Sequence, residues 1–125
     1  MNRGLLLKKN LYLPSEHDEQ CVVVQYCHLK NMPCFAIPNG SNKSKTARMS
    51  FKREGLEPGI PDLMIPVSTN KFCGLFIEMK RQKSVPSDVK PNQRKWIKIL
   101  NDNGYLAKVC SGADEAIKLI ERYFK

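Results

Sequence analysis

Apolar positions in this chain come in short bursts separated by polar stretches, and the spacing within each burst changes along the sequence. Over residues 16–31 they recur at helical intervals: Val22, Val23, Tyr26 and Cys27, with Met32 following. Ser15 precedes the segment as a capping residue. Glu16, Asp18 and Glu19 fall in the first turn, where carboxylates complement the helix dipole. These features predict a helix over 16–31. "PCFAIP" at 33–38 predicts a short strand bounded by prolines, and "NGSNKSK" at 39–45 a loop. "TARMSFKREG" at 46–55 predicts a short basic helix ended by Gly55. After the turn "LEPGIP", apolar runs at 62–66 and 72–80 joined by "VSTNK" predict a β-hairpin. "RQKSVPSDVK" at 81–90 is a polar loop. Pro91 suits the first turn of a helix, Trp96, Ile97 and Leu100 supply its apolar stripe, and Gly104 ends it. "YLAKVC" at 105–110 predicts a strand. A last helix follows Ser111 and Gly112, with Ala116, Ile117, Ile120 and Phe124 as its buried face.

The predicted order is α-β-α-β-β-α-β-α, without repeats or low-complexity tracts. Such interleaving implies an α/β fold, a mixed central sheet flanked by helices. A length of 125 residues suits one domain spanning the whole chain, with residues 1–14 as an extended N-terminal arm. No apolar run approaches the roughly 20 residues of a membrane span. The "LLL" near the N-terminus is broken by Lys8 and Lys9, too short for a signal-peptide core. These features lead to the expectation of an intracellular, cytoplasmic protein with no membrane partner.

Charge sharpens the picture. The formal net charge is +9, and the cations cluster. Lys43, Lys45, Arg48, Lys52 and Arg53 occur within 41–53 with no acid among them. Lys71, Lys80, Arg81, Lys83, Lys90, Arg94, Lys95 and Lys98 follow, against only Glu78 and Asp88. Clustered cations on a small chain imply a polyanion partner, most often nucleic acid. The five cysteines, an odd number without any C-x-x-C pair, are expected as buried reduced thiols rather than a disulfide framework or zinc site. His17 and Cys21, four apart, make only two ligands and a poor metal site.

Three charges then stand out inside the predicted hairpin. Residues two apart on a strand share a face, so Glu78 and Lys80 point one way while Leu75, Ile77 and Met79 point into a core. Pairing of the hairpin brings Asp62, at the head of one strand, beside the tail of the other. Two carboxylates and an ammonium are thus expected together at one edge of the sheet. Adjacent carboxylates repel and raise one another's pKa, and a hard dication such as Mg²⁺ or Mn²⁺ removes that cost. The Met79 carbonyl supplies a further oxygen. A dication, an activated water and a basic surface describe phosphodiester hydrolysis.

"GIPD" at 59–62 followed by "GLFIEMK" at 74–80 resembles the PD-(D/E)xK nuclease signature. The segment 92–123, "NQRKWIKILNDNGYLAKVCSGADEAIKLIERY", together with "SEHDEQ" and "FAIPNG", is similar to small, stand-alone, phage-type members of the VRR-NUC family. The resemblance covers residues 15–123. It implies a restriction-endonuclease-like core and a Mg²⁺- or Mn²⁺-dependent endonuclease, related to Holliday junction resolvases and acting as a homodimer on branched DNA, encoded by a phage or prophage. It assigns Asp62 and Glu78 to the metal, Lys80 to catalysis and Gln93 to the active site. It also implies a glutamate on the first helix. Glu16 and Glu19 both qualify, and Glu19, sharing the inward face of Val22 and Val23, is the preferred one. Lys43, Lys45, Arg48, Lys52, Arg53 and Arg81 are expected to contact phosphates. A non-catalytic DNA-binding module and a sequence-specific restriction-type enzyme are the competing expectations.

Overall fold

The computed structural model describes residues 13–38 and 44–125, so most of the expected N-terminal arm, and Lys43, lie outside the described residues. The element order is α1 (Glu16–Leu29), β1 (Phe35–Ala36), α2 (Lys45–Arg53), β2 (Leu63–Ile65), β3 (Leu75–Lys80), α3 (Pro91–Asp102), β4 (Leu106–Ser111) and α4 (Ala113–Tyr123). A single 3₁₀ turn, Pro86–Asp88, interrupts the loop before α3. The order matches the one predicted.

The strands form one mixed sheet in the order β1-β2-β3-β4. β1, β2 and β3 pair antiparallel, with Leu63 opposite Ile77 and Ile65 opposite Leu75. β4 lies parallel to β3, Leu106 opposite Leu75 and Ser111 opposite Lys80. A parallel neighbour requires a crossover, and α3 supplies it. Asn101 fastens that crossover, because its side chain accepts from Ala107 N at 3.0 Å and donates to Ala107 O at 3.1 Å.

One sheet face carries the main core. Leu63, Ile65, Leu75, Ile77, Met79 and Cys110 meet Val23 and Cys27 of α1 and Ala116, Leu119, Ile120 and Tyr123 of α4. The ends of α1 follow from its sequence: Ser15 Oγ accepts from Asp18 N at 3.1 Å, and the chain turns out at Lys30 and Asn31 (φ 53°). α3 starts at Pro91 and stops before Gly104 (φ 93°).

Three expectations need correction. The buried stripe of α4 is Ala116, Leu119, Ile120 and Tyr123, whereas Phe124 is 42% exposed. The helix ends at Tyr123, whose hydroxyl donates to Val67 O at 2.6 Å, and Phe124 leaves the stripe as the cap residue. All five thiols are free, but only Cys27 and Cys110 are buried, while Cys21 and Cys73 are exposed. The strand expected over 33–38 shrinks to Phe35–Ala36.

Candidate active site

The hairpin register decides what meets at the tail of β3. Asp62 precedes the first residue of β2, and its Oδ2 accepts a hydrogen bond from Met79 N at 2.8 Å. The aspartate thereby extends the β2–β3 ladder by one rung with its side chain. In a strand the N–H and C=O of one residue face the same neighbour, so the Met79 carbonyl also faces the Asp62 side. The charges meet where the head of one strand lies beside the tail of the next, as the hairpin pairing implied, and both strands are interior to the sheet.

Glu78 and Lys80 lie on the face opposite Ile77 and Met79, and both are buried. The Glu78 carboxyl is within hydrogen-bonding reach of the Asp62 carboxyl. Burial and then the Asp62 charge push its pKa up to about 9, against a smaller downward pull from Lys80. Lys80 Nζ stands 3.8 Å from Glu78 Oε2 and 3.8 Å from Glu16 Oε1. Gln93, on the third position of α3, accepts from Lys90 N through Oε1 at 2.9 Å and donates through Nε2 to Glu78 Oε2 at 3.4 Å. One amide thus caps its helix and leans on the carboxylate.

The turn before Asp62 is held against the same helix. Gly59 adopts φ 97°, and a Cβ there would lie 2.7 Å from the backbone carbonyl atoms of Asn92. Only glycine allows this approach, and it couples the position of Asp62 to that of Gln93. Pro61 is buried and fixes φ one residue before the aspartate.

Glu19 is not brought to this cluster. It is buried, but its Oε2 accepts from Ala113 N, the first amide of α4, and its Oε1 accepts from Gln82 Nε2 at 2.8 Å. Both oxygens are thereby engaged away from Glu78. A carboxylate at a helix N-terminus meets free amides and the positive end of the dipole, which explains its burial. The first-helix carboxylate that does reach the cluster is Glu16, whose side chain is 51% exposed. Its place directly after the capping serine, at the solvent end of the helix, was the available signal. Glu19 lies on the buried stripe of Val23 and Cys27, and inward spacing alone does not tell a helix clamp from a site residue.

Downstream of Lys80, Ser84 and Ser111 join hydroxyl to hydroxyl, and Gly112 N donates to Lys80 O at 2.9 Å. A cleft of about 510 Å³ opens here, with Glu16, Lys80, Arg81 and Lys83 on its walls. Lys45, Arg48, Lys52 and Arg53 are exposed on α2, a helix that buries no residue. Lys45, Arg48 and Lys52 share one stripe by helical spacing. Arg81 is exposed beside the catalytic candidates. Among the described residues no three His, Cys, Asp or Glu side chains converge as a metal cage. Two carboxylates and a carbonyl instead match a Mg²⁺-type site, which keeps several waters and draws remaining ligands from substrate phosphates.

Paired carboxylates and a lysine at the end of a mixed sheet, on a chain rich in exposed cations, are the features of a nuclease domain. The VRR-NUC domain model matches residues 6–114, and the chain belongs to this family of nuclease domains. A solved structure described as a VRR_NUC domain protein is similar at a TM-score of 0.68 and 28% identity, covering 90% of this chain and 89% of that one. No curated protein matches the chain. No helix among the described residues is long and apolar enough to cross a membrane.

Proposed function

We propose that this nuclease domain is a divalent-metal-dependent endonuclease that hydrolyses phosphodiester bonds in branched or otherwise structured DNA, in the manner of a Holliday junction resolvase. The reading is carried by the convergence of the Asp62 and Glu78 carboxyls beside Lys80. A buried carboxyl pushed up to about 9 by burial and a second carboxyl is a group short of a cation. Asp62, Glu78 and the Met79 carbonyl are the ligands in this reading. A bound Mg²⁺ or Mn²⁺ supplies Lewis acidity, lowering the pKa of water and neutralising phosphoryl oxygens.

The residues of the chain do the rest. Met79 N holds one Asp62 oxygen and leaves the other for the cation. Gln93 orients the Glu78 carboxylate from α3. The Lys80 ammonium, held between Glu78 and Glu16, hydrogen-bonds the attacking water or the phosphate and offsets the charge that grows in the transition state. Glu16 takes the place of Glu19 as the first-helix carboxylate. Lys45, Arg48, Lys52, Arg53 and Arg81 bind phosphates, positioning the duplex without reading its sequence. Two symmetric cuts in a junction call for two copies of the site, and a homodimer provides them.

The test is a cleavage panel of four-way junction, flap, splayed arm, linear duplex and single strand, each with Mg²⁺, with Mn²⁺ and with excess EDTA. Cutting of branched substrates by the wild type, its loss in Asp62→Asn and Lys80→Met with DNA binding retained, and its loss in EDTA are the expected results. Full activity of either variant would remove the site from the mechanism. Absence of cleavage on every substrate would leave a DNA-binding module, and discrete fragments from linear duplex would point to a restriction-type enzyme.

A further inference from the structure

A second cationic cleft lies at the far end of the sheet. Its volume is about 660 Å³, and it is bounded by the β2–β3 connection, the start of β4 and the end of α4. Among the described residues Lys71, Lys108, Arg122 and Lys125 line it, and no acidic side chain does. Among the described residues none of these four has an ion-pair partner. Arg122 and Lys125 complement the carbonyl end of α4. That does not account for Lys71 and Lys108, which arrive from a loop and a strand. Cations gathered this way repel one another, and an anion relieves the repulsion.

The same cleft has an aromatic wall. Phe72 stacks on Tyr123 with ring centres 6.0 Å apart and planes 26° apart, and Tyr123 meets Phe124 edge-on at 5.1 Å. The wall is preset, since Tyr123 Oη is tied to Val67 O and Phe72 N to Thr69 Oγ1 at 3.1 Å. Phe124, the ring that left the buried stripe, remains 42% exposed. Cations for phosphates beside a ring for base stacking are the elements of a single-strand site. Leu75 and Leu106 mark this end of the parallel pair and Lys80 and Ser111 the other. At about 3.3 Å per residue the two ends are about 17 Å apart. A nucleotide held here is therefore distant from the phosphate being cut.

We propose that this cleft binds a single-stranded nucleotide segment, with its phosphates on Lys71, Lys108 and Arg122 and a base against Phe124. Resting on the nuclease reading, it gives the enzyme a second grip on substrates that combine duplex with unpaired strand. The ligand class is the phosphate-and-base unit of DNA, taken from a strand and not from free nucleotide.

The experiment measures fluorescence anisotropy of a labelled oligo-dT with the full chain in EDTA, so that binding is read without cleavage. Lys108→Glu combined with Arg122→Glu is expected to weaken binding at least about tenfold at low salt. The slope of log K against log salt should shrink by about 1.4, at roughly 0.7 per single-strand contact. Phe124→Ala, which alters one exposed ring, should weaken binding by several-fold with the slope unchanged. Lys30→Glu with Lys118→Glu makes the same charge change elsewhere and should cost little. Wild-type affinity in the cleft variants, or an equal loss in the control pair, would overturn the site. Displacement of the oligonucleotide by submillimolar dAMP would overturn the assignment to a strand in favour of free nucleotide. Cleavage of a fully paired four-way junction with Mg²⁺, read separately, reports on the catalytic reading alone.

Discussion

Glu78 shows most directly how one residue's environment becomes chemistry. Its ordinary pKa of 4.5 rises to about 9 in the folded protein, through burial and the neighbouring Asp62. Across that window the folded protein holds a proton that the unfolded chain has released, so this residue makes stability fall as pH rises. Thermal unfolding in EDTA should therefore show a lower Tm at about pH 8.5 than at about pH 5, and Glu78→Gln should flatten the difference. Millimolar Mg²⁺ should offset the loss in the wild type, because the ligands must give up the proton to bind it. In the proposed mechanism Gln93 works through Glu78, and Gln93→Ala is expected to lower kcat by about 10- to 100-fold, the range for a residue that orients a metal ligand. Loss of its bond to Lys90 N should cost only about 1 kcal/mol of stability. Gly59→Ala combines a left-handed backbone with a contact to Asn92 that has no room. It should destabilise by about 2 kcal/mol in denaturant titrations and cut activity by shifting Asp62 against α3. The glycine and proline of "GIPD" were legible as a turn, but the contact with Asn92 depends on a crossover helix packing from more than thirty positions later.

Among elements, α1 carries two carboxylates one turn apart with different work. Glu19 joins α1 to the amide end of α4 and to Gln82, two residues beyond Lys80. Glu16 reaches Lys80 from an exposed position. The expected outcome is a double dissociation. Glu19→Ala strips a buried charged acceptor and should destabilise by about 2–3 kcal/mol. Glu16→Ala should leave Tm nearly unchanged and reduce cleavage. Unfolding curves and rates measured on both variants check it, and the reverse pattern would restore Glu19 to the site. The elements themselves were legible because their signals are local: Ser15 capping α1, Pro91 opening α3, Gly104 closing it, and alternation along β3. The faces were harder. Nothing in the periodicity of α1 distinguishes a carboxylate buried under another helix from one aimed at a sheet end, since both occupy the inward stripe.

At the scale of the molecule, three groups of cations stand out among the described residues. α2 carries Lys45, Arg48, Lys52 and Arg53 on a helix without buried residues, Arg81 and Lys83 border the cleft beside Lys80, and the far cleft carries its own four. Duplex binding should lose about 0.9 in the salt slope for each α2 cation that contacts a phosphate when replaced by alanine. Because α2 contributes no core, the four replacements together should leave the stability within about 1 kcal/mol of wild type. A slope unchanged by all four would take α2 out of the DNA path. Light scattering at micromolar concentration is expected to give the mass of a dimer, and a monomer would count against paired cutting.

The sequence by itself determined the order of elements, the mixed α/β class and the three charges of the hairpin. Caps, turns and two-residue alternation act between near neighbours, and hairpin register follows from one short connection. Only the tertiary structure decided that Gln93 leans on Glu78, that Glu16 and not Glu19 meets Lys80, and that four scattered cations share a cleft with Phe124. Those meetings join segments far apart in the chain. Their geometry comes from how whole faces bury against one another, which no local pattern encodes.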